Sequence, residues 1–185
     1  MLKIRQTEYW KIDYEGGISE VDLKLPSEDF GEPLPVEGAR FDSKEFAQST
    51  AKLILEKFKA EHPVRVFDAN GVRRRAIQGL LLSPADRQAA CRELSCSGWQ
   101  EAEVRYIAGD ITLHEGGPGV ALNFEIHARL VRTQNVTKTV SFEGEVYTRN
   151  CQEKFFSSWY PAHVEESQIV LAVYSCTENT VVDVP

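Results

Sequence analysis

Sulfur is scarce in this chain, with four cysteines and one methionine among 185 residues. That is too few cysteines for a disulfide framework. Cys91 and Cys96 sit five apart, a spacing that fits neither a Cys-x-x-Cys redox pair nor a zinc knuckle. With Cys151 and Cys176 they read as reduced, partly buried thiols of a reducing compartment. No run approaches the ~18 apolar residues that a membrane span needs. Positive charge is in the minority: 21 Lys and Arg stand against 28 Asp and Glu, for a net −7. Nucleic acid and anionic membranes both demand a basic footprint, so neither is an expected partner. An acidic balance favours a soluble, self-repelling protein.

Other signals are missing too. The start, Met1 to Trp10, has no apolar h-region and no small-residue cleavage site, so the expectation is a cytoplasmic chain. There is no Walker lysine motif, no nucleophile elbow, no paired-histidine zinc motif and no dinucleotide fingerprint. No cofactor is called for, and no small-molecule ligand can be named. Arg73-Arg74-Arg75 is the one basic run, and in an acidic chain it reads as a solvated strand face. Gly116-Gly117-Pro118-Gly119 joins two strands rather than a strand and a helix, so it reads as a turn and not a phosphate cradle. Asn135-Val136-Thr137 is a formal glycosylation sequon, relevant only to a secreted chain.

What is present is ordinary globular material. The hydrophobic share is 42% and the charged share 26%, near the averages for folded domains. The length suits one domain over 1–185. Residues 2–25 read as a hairpin turning at Glu15-Gly16-Gly17, and residues 26–38 as a proline-bearing arm or crossover. A helix is predicted over 42–61, with Asp42 as N-cap, Glu45 completing a capping box, and Phe41 against Phe46 as a staple. Its apolar stripe is Phe46, Thr50, Leu53, Ile54 and Phe58. His62-Pro63 ends it. Val64–Ala69 is a strand, and Asn70-Gly71 turns it into a return strand at 72–82. Ser83 and Pro84 open a second helix over 84–95, closed by Ser97-Gly98. The tail is either a helix from Val164 or a buried strand over Ile169–Tyr174, with β-branched content favouring the strand.

Residues 104–149 read as a three-stranded meander. On Val120–Val131 the even positions are apolar and the odd ones are Asn123, Glu125, His127 and Arg129. Ile107, Ile111 and Leu113 read as core on the strand before, and Val140, Phe142 and Val146 on the strand after. A turn at Gly117-Pro118 and a loop at 133–137 then set Asp110 opposite Glu125, Glu125 opposite Glu145, and His127 opposite Glu143. Tyr106 faces Arg129. The outer face would gather Asp110, Glu125, His127, Glu143 and Glu145. Three readings stay open for it: a plain solvated face, a cation or acid–base site, and an acidic docking surface. Phe155, Phe156, Trp159 and Tyr160 form an aromatic cluster, read either as a core lid or as an interface.

The rhythm of Tyr106–Leu113, Leu122–Val131 and Thr139–Tyr147 resembles bacterial envelope lipoprotein domains of the transporter-auxiliary type, in which a helix precedes such a meander. The resemblance covers roughly a quarter of the chain, rests on strand patterning, and lacks a lipobox, so no function follows from it. The fold class expected is α+β, an antiparallel sheet with two helices packed on one face and a C-terminal three-stranded meander. A β-rich variant with a second small sheet from 2–25 is the runner-up. The function expected is a non-enzymatic protein-binding or assembly module, partnered by another protein or by itself. The alternative is a small metal-assisted or carboxylate enzyme centred on the acidic face.

Overall fold

The computed structural model describes residues 1–17, 38–68, 81–96, 101–164 and 166–185. The described residues are mostly antiparallel sheet, with two helices of more than two turns. The elements are β1 (Leu2–Gly17), α1 (Lys44–Glu61), β2 (Val64–Asp68), α2 (Pro84–Leu94), β3 (Glu101–Leu113), β4 (Val120–Phe142), β5 (Glu145–Phe156), β6 (Tyr160–Pro161) and β7 (Gln168–Asp183). The hydrogen-bonded order is β1-β7-β4-β3-β2, with β5 and β6 also paired to β4. Among the described residues no helix is long and apolar enough to cross a membrane. Contacts group the chain into two compact units. The first holds Met1–Arg65, Tyr106–Glu125 and Glu165–Pro185; the second holds Val66–Arg105 and Ile126–Val164.

In the first unit β1 pairs antiparallel with β7 along its whole length, from Leu2↔Asp183 to Gly17↔Ile169. The tail is therefore a strand, and a longer one than Ile169–Tyr174. Glu15-Gly16-Gly17 is not a turn. The glycines lie inside β1, where a bulge falls between Tyr14 and Gly16. Gly17 has φ +115, and a Cβ there would overlap the carbonyl oxygen of Gln168. The signal in the sequence was real, because glycine is required, but the need is a bulge and a close backbone approach. Residues 18–25, the expected hairpin partner, lie outside the described residues, as does most of the 26–38 arm.

Helix α1 packs on β1 and β7. Its N-cap is Ser43, whose hydroxyl accepts from the Phe46 N–H at 3.1 Å; Asp42 does not fill that role. Phe41 and Phe46 do meet, edge to face at 5.4 Å. The buried side is Ala47, Ala51, Leu55 and Phe58, while Phe46 is 61% and Leu53 64% exposed. The buried side is thus rotated from the predicted stripe. Apolar residues cover more than one face of this helix, so period alone does not choose the side. The two alanines do, because short side chains let the helix axis approach the strands. His62 caps the C-terminus through its N–H to Phe58.

In the second unit Ser83 caps α2, accepting from the Asp86 N–H at 3.1 Å, with Pro84 in the first turn. The helix stops at Ser95, which is left-handed at φ 49. Ser97-Gly98 lies outside the described residues. Asn70-Gly71 and Arg73-Arg74-Arg75 also lie outside them. Of the expected return strand at 72–82 only Leu81 and Leu82 are described; both are buried, and neither is extended, Leu81 being helical.

The meander differs from expectation in two ways. First, the buried residues of β3 are Ala102, Val104 and Tyr106, whereas Leu113 is 65% exposed and Ile107 and Ile111 are half-buried. The core of β3 is therefore the opposite parity from the expected set. Tyr106 faces inward, meeting Phe124 edge to face at 6.2 Å. Second, β4 does not break at 133–137. It runs on to Phe142, and Glu143-Gly144 makes the turn with φ 50 and φ 79. Two consecutive positive φ values in a two-residue loop match the twist of a hairpin.

Gly17→Ala is expected to cost about 3 kcal/mol, since it adds both strain and a backbone clash. Gly117→Ala, with nothing within 4 Å of its Cβ position, serves as the neutral control. Urea midpoints of the two variants check the difference.

Candidate functional site

Two features of the second unit stand out. The first is a cation–aromatic ladder on the outer face of β3 and β4. Once Ala102 and Val104 point inward, pleating turns Glu103 and Arg105 outward. On β4 the same alternation buries Ala128 and Leu130 and turns out His127 and Arg129. The Arg129 guanidinium donates to one oxygen of Glu103 through Nε at 2.9 Å and Nη2 at 2.7 Å. The same plane lies 3.9 Å from the Phe156 ring centre and 4.3 Å from that of Trp159. Arg105 covers Trp159 at 4.5 Å and sits 3.3 Å from Nδ1 of His127. An arginine can only donate, so that Nδ1 accepts. The order is Phe156, Arg129, Trp159, Arg105, His127.

Backbone pairing delivers the aromatics. Ser157 is buried; its N–H donates to the Leu130 carbonyl at 3.0 Å and its hydroxyl accepts from the Leu130 N–H at 2.9 Å. Tyr160 and Pro161 then pair with Ala128 and His127. Glu93 of α2 holds the next residue, accepting from the Ser158 hydroxyl at 2.7 Å and from its N–H at 2.8 Å. Those two bonds, the hydroxyl first, keep the Glu93 carboxyl below the usual carboxylate range. Burial, with a hydrogen bond to Glu93, pushes the Tyr160 hydroxyl up.

The second feature is a two-stranded arm. Val131–Phe142 of β4 pairs with Glu145–Phe156 of β5, and from Thr137 to Asn150 every residue is exposed. One face carries Val136, Val140, Phe142, Tyr147, Cys151 and Phe155 together with the charged Lys138, Glu145, Arg149 and Glu153, with Val140 opposite Tyr147. The other carries threonines and amides, among them Thr137 hydrogen-bonded to Asn150 at 3.1 Å. Phe142 is 64% and Val146 68% exposed. Tyr147 donates to Glu145, which pushes its hydroxyl up.

The expected acidic cluster is not assembled around His127. Its strand partner is Pro161, not Glu143. Glu143 is a turn residue and Glu145 pairs with Phe142. At about 3.3 Å per residue, His127 lies about 50 Å along the strand from them. Asp110 and Glu125 are exposed residues of the first unit. There Asn123 uses the backbone carbonyl of Asp110, not its carboxylate, at 2.9 Å. Among the described residues no three His, Cys, Asp or Glu side chains are placed to hold a metal ion. Phe155, Phe156, Trp159 and Tyr160 divide: Phe155 is 40% and Phe156 44% exposed, while Trp159 and Tyr160 are half-buried. No disulfide joins the four cysteines, and burial raises the Cys96 thiol beside Cys91.

Reading the sequence missed Glu103, Arg105 and Glu93. Alternation around Val104 carried the first two. Nothing local marked Glu93, whose partner is 65 residues away. Comparison with protein-family models, with curated proteins and with solved structures finds no match to this chain.

Two outcomes are expected. In a double-mutant cycle, Arg129→Ala and Trp159→Ala should show coupling of about 1 kcal/mol, measured by urea unfolding. The Glu93 carboxyl is lower in the folded chain than in the unfolded one, so its contribution is present above the ordinary value of about 4.3 and is lost as pH falls through the folded value. The stability difference between wild type and Glu93→Gln should therefore shrink on acidification below that value.

Proposed function

We propose that this chain is a protein-binding or assembly module, and that the β4–β5 arm is its contact surface. The observation that carries the reading is the exposed apolar cluster of Val140, Phe142 and Tyr147 on one face of the arm, set among the charged Lys138, Glu145 and Arg149. A two-stranded ribbon is marginal in water without cover on a face. Exposed strand edges with apolar side chains are also templates for pairing with another chain. Aromatic residues enriched on such a patch are the usual anchors of protein interfaces. The ladder supports the same reading from the other end. Stacking and ion pairing fix the strand junction at Phe156 and Trp159, so the arm leaves a rigid base. α1 and α2 then serve as backing for the strands of their own units. Nucleic acid has no part in this reading, given the net −7, and a cytoplasmic location suits the four free thiols.

A triple variant, Val140→Thr with Phe142→Ser and Tyr147→Ser, tests this. Exposed positions should leave the unfolding free energy from urea titration within about 0.5 kcal/mol of wild type. Association measured by sedimentation and by partner retention should be lost. An unchanged assembly state and an unchanged set of retained partners would remove the arm from consideration.

A further inference from the structure

We propose that the partner of the arm is a second copy of this chain, joined by antiparallel pairing of β5 with β5 about a two-fold axis at Cys151. This rests on the arm being the contact surface. Among the described residues β5 has one strand neighbour, β4, so its other edge carries unpaired backbone groups. In a two-fold antiparallel pair, residues directly opposite must point to the same side of the sheet. A residue numbered i therefore meets one of the same parity. For a strand spanning 145–156, this leaves four registers with nine or more paired residues.

The chemistry separates the four. With the axis at Arg149, that arginine meets its own copy and Glu145 meets Glu153. With the axis at Asn150, Glu145 faces Phe155, Val146 faces Lys154, and no opposite charges meet. With the axis at Gln152, Arg149 faces Phe155 and Cys151 faces Glu153. With the axis at Cys151, Arg149 meets Glu153, Tyr147 meets Phe155, Val146 meets Phe156 and Asn150 meets Gln152, each twice by symmetry. Opposite charges and aromatic pairs are the cross-strand combinations that stabilise a sheet, and like charges directly opposite oppose it. Lys138 already lies 3.8 Å from Glu153 within the copy, as an exposed pair. Such pairs are weak and leave the carboxylate's second oxygen open.

Two other edges among the described residues do not match themselves. Over its free stretch 2–9, β1 has Lys3 and Arg5 at odd positions and Glu8 at an even one, so same-parity pairing cannot join them. Thr133–Phe142 of β4 has Lys138 as its one charge, which a two-fold axis sets against itself or against a neutral residue. Self-complementarity is a property of β5, and a closed two-fold interface requires it. The side chains involved are exposed or half-buried, so pairing needs no unfolding.

Arg149→Glu and Glu153→Arg provide the test, with circular dichroism confirming that each variant is folded. Wild type is expected to sediment as a dimer at about 100 μM, and each single variant as a monomer, with association weakened at least tenfold. In a one-to-one mixture of the two variants, both cross-strand pairs between positions 149 and 153 again join opposite charges, and a heterodimer should form. The double variant Arg149→Glu/Glu153→Arg should form homodimers. Diamide supplies an independent reading. Residues directly opposite in an antiparallel pair have Cα atoms about 4.5–5.5 Å apart, within disulfide range. Two Cys151 thiols would then lose two protons and two electrons to diamide, which is reduced to the hydrazine, and form one interchain bond. A reductant-sensitive dimer absent in Cys151→Ser is expected. A dimer that survives both single charge reversals would overturn this pairing while leaving the arm as an assembly surface. A monomeric wild type would overturn self-pairing outright, and the triple variant above then decides the arm by its effect on partner retention.

Discussion

The backbone of β4 has to be hydrogen-bonded along 23 residues, and that demand organises the molecule. Unpaired N–H and C=O groups are costly wherever water is excluded. Val120–Asn123 pairs with β7, His127–Ala128 with β6, and Val131–Phe142 with β5. Each partner arrives from a different distance in sequence. The strand is apolar at Val120, Ala121, Leu122, Phe124, Ile126, Ala128 and Leu130, all buried, so it forms a core there. Beyond Arg132 its side chains are mostly polar or exposed, and the same hydrogen bonds carry it into solvent as a ribbon.

That change of environment along one strand is what separates stability from function. Where one face of the strand is buried, substitutions on that face are felt as packing. Where both faces meet water, they act on what can bind. The ladder stands at the transition. Phe156 is the last residue of β5 and pairs with Val131, while its ring lies over Arg129. A guanidinium suits this place because it stacks on rings and forks to Glu103 at once, which an ammonium cannot do.

Much of the local structure is legible in the residues. Ser83 with Pro84, and His62 with Pro63, mark helix ends whose signals are confined to a few residues. The alternation from Leu122 to Leu130 identifies the buried face of β4, because half-burial imposes a period of two. The tail's β-branched run fits a strand. Register is harder. Glu143-Gly144 closes the hairpin, yet glutamate at a positive φ is uncommon, so the residues point to a turn at 133–137 instead. The shift of the turn detaches Glu143 and Glu145 from His127. On β3, isoleucine at 107 and 111 outweighs alanine at 102 as a marker of the core face. Hydrophobicity alone does not show that the inward line is Ala102, Val104 and Tyr106.

Local chemistry is enough to mark both helices, the Ser83 cap of α2, the helix end at His62-Pro63 and the parity along β4. Each depends on neighbours within a few residues. Three-dimensional packing is needed to choose which side of α1 is buried, which face of β3 is core, and that Trp159 lies between two arginines. Those outcomes depend on partners tens of residues away, whose approach is governed by backbone pairing and by how closely small side chains let elements come.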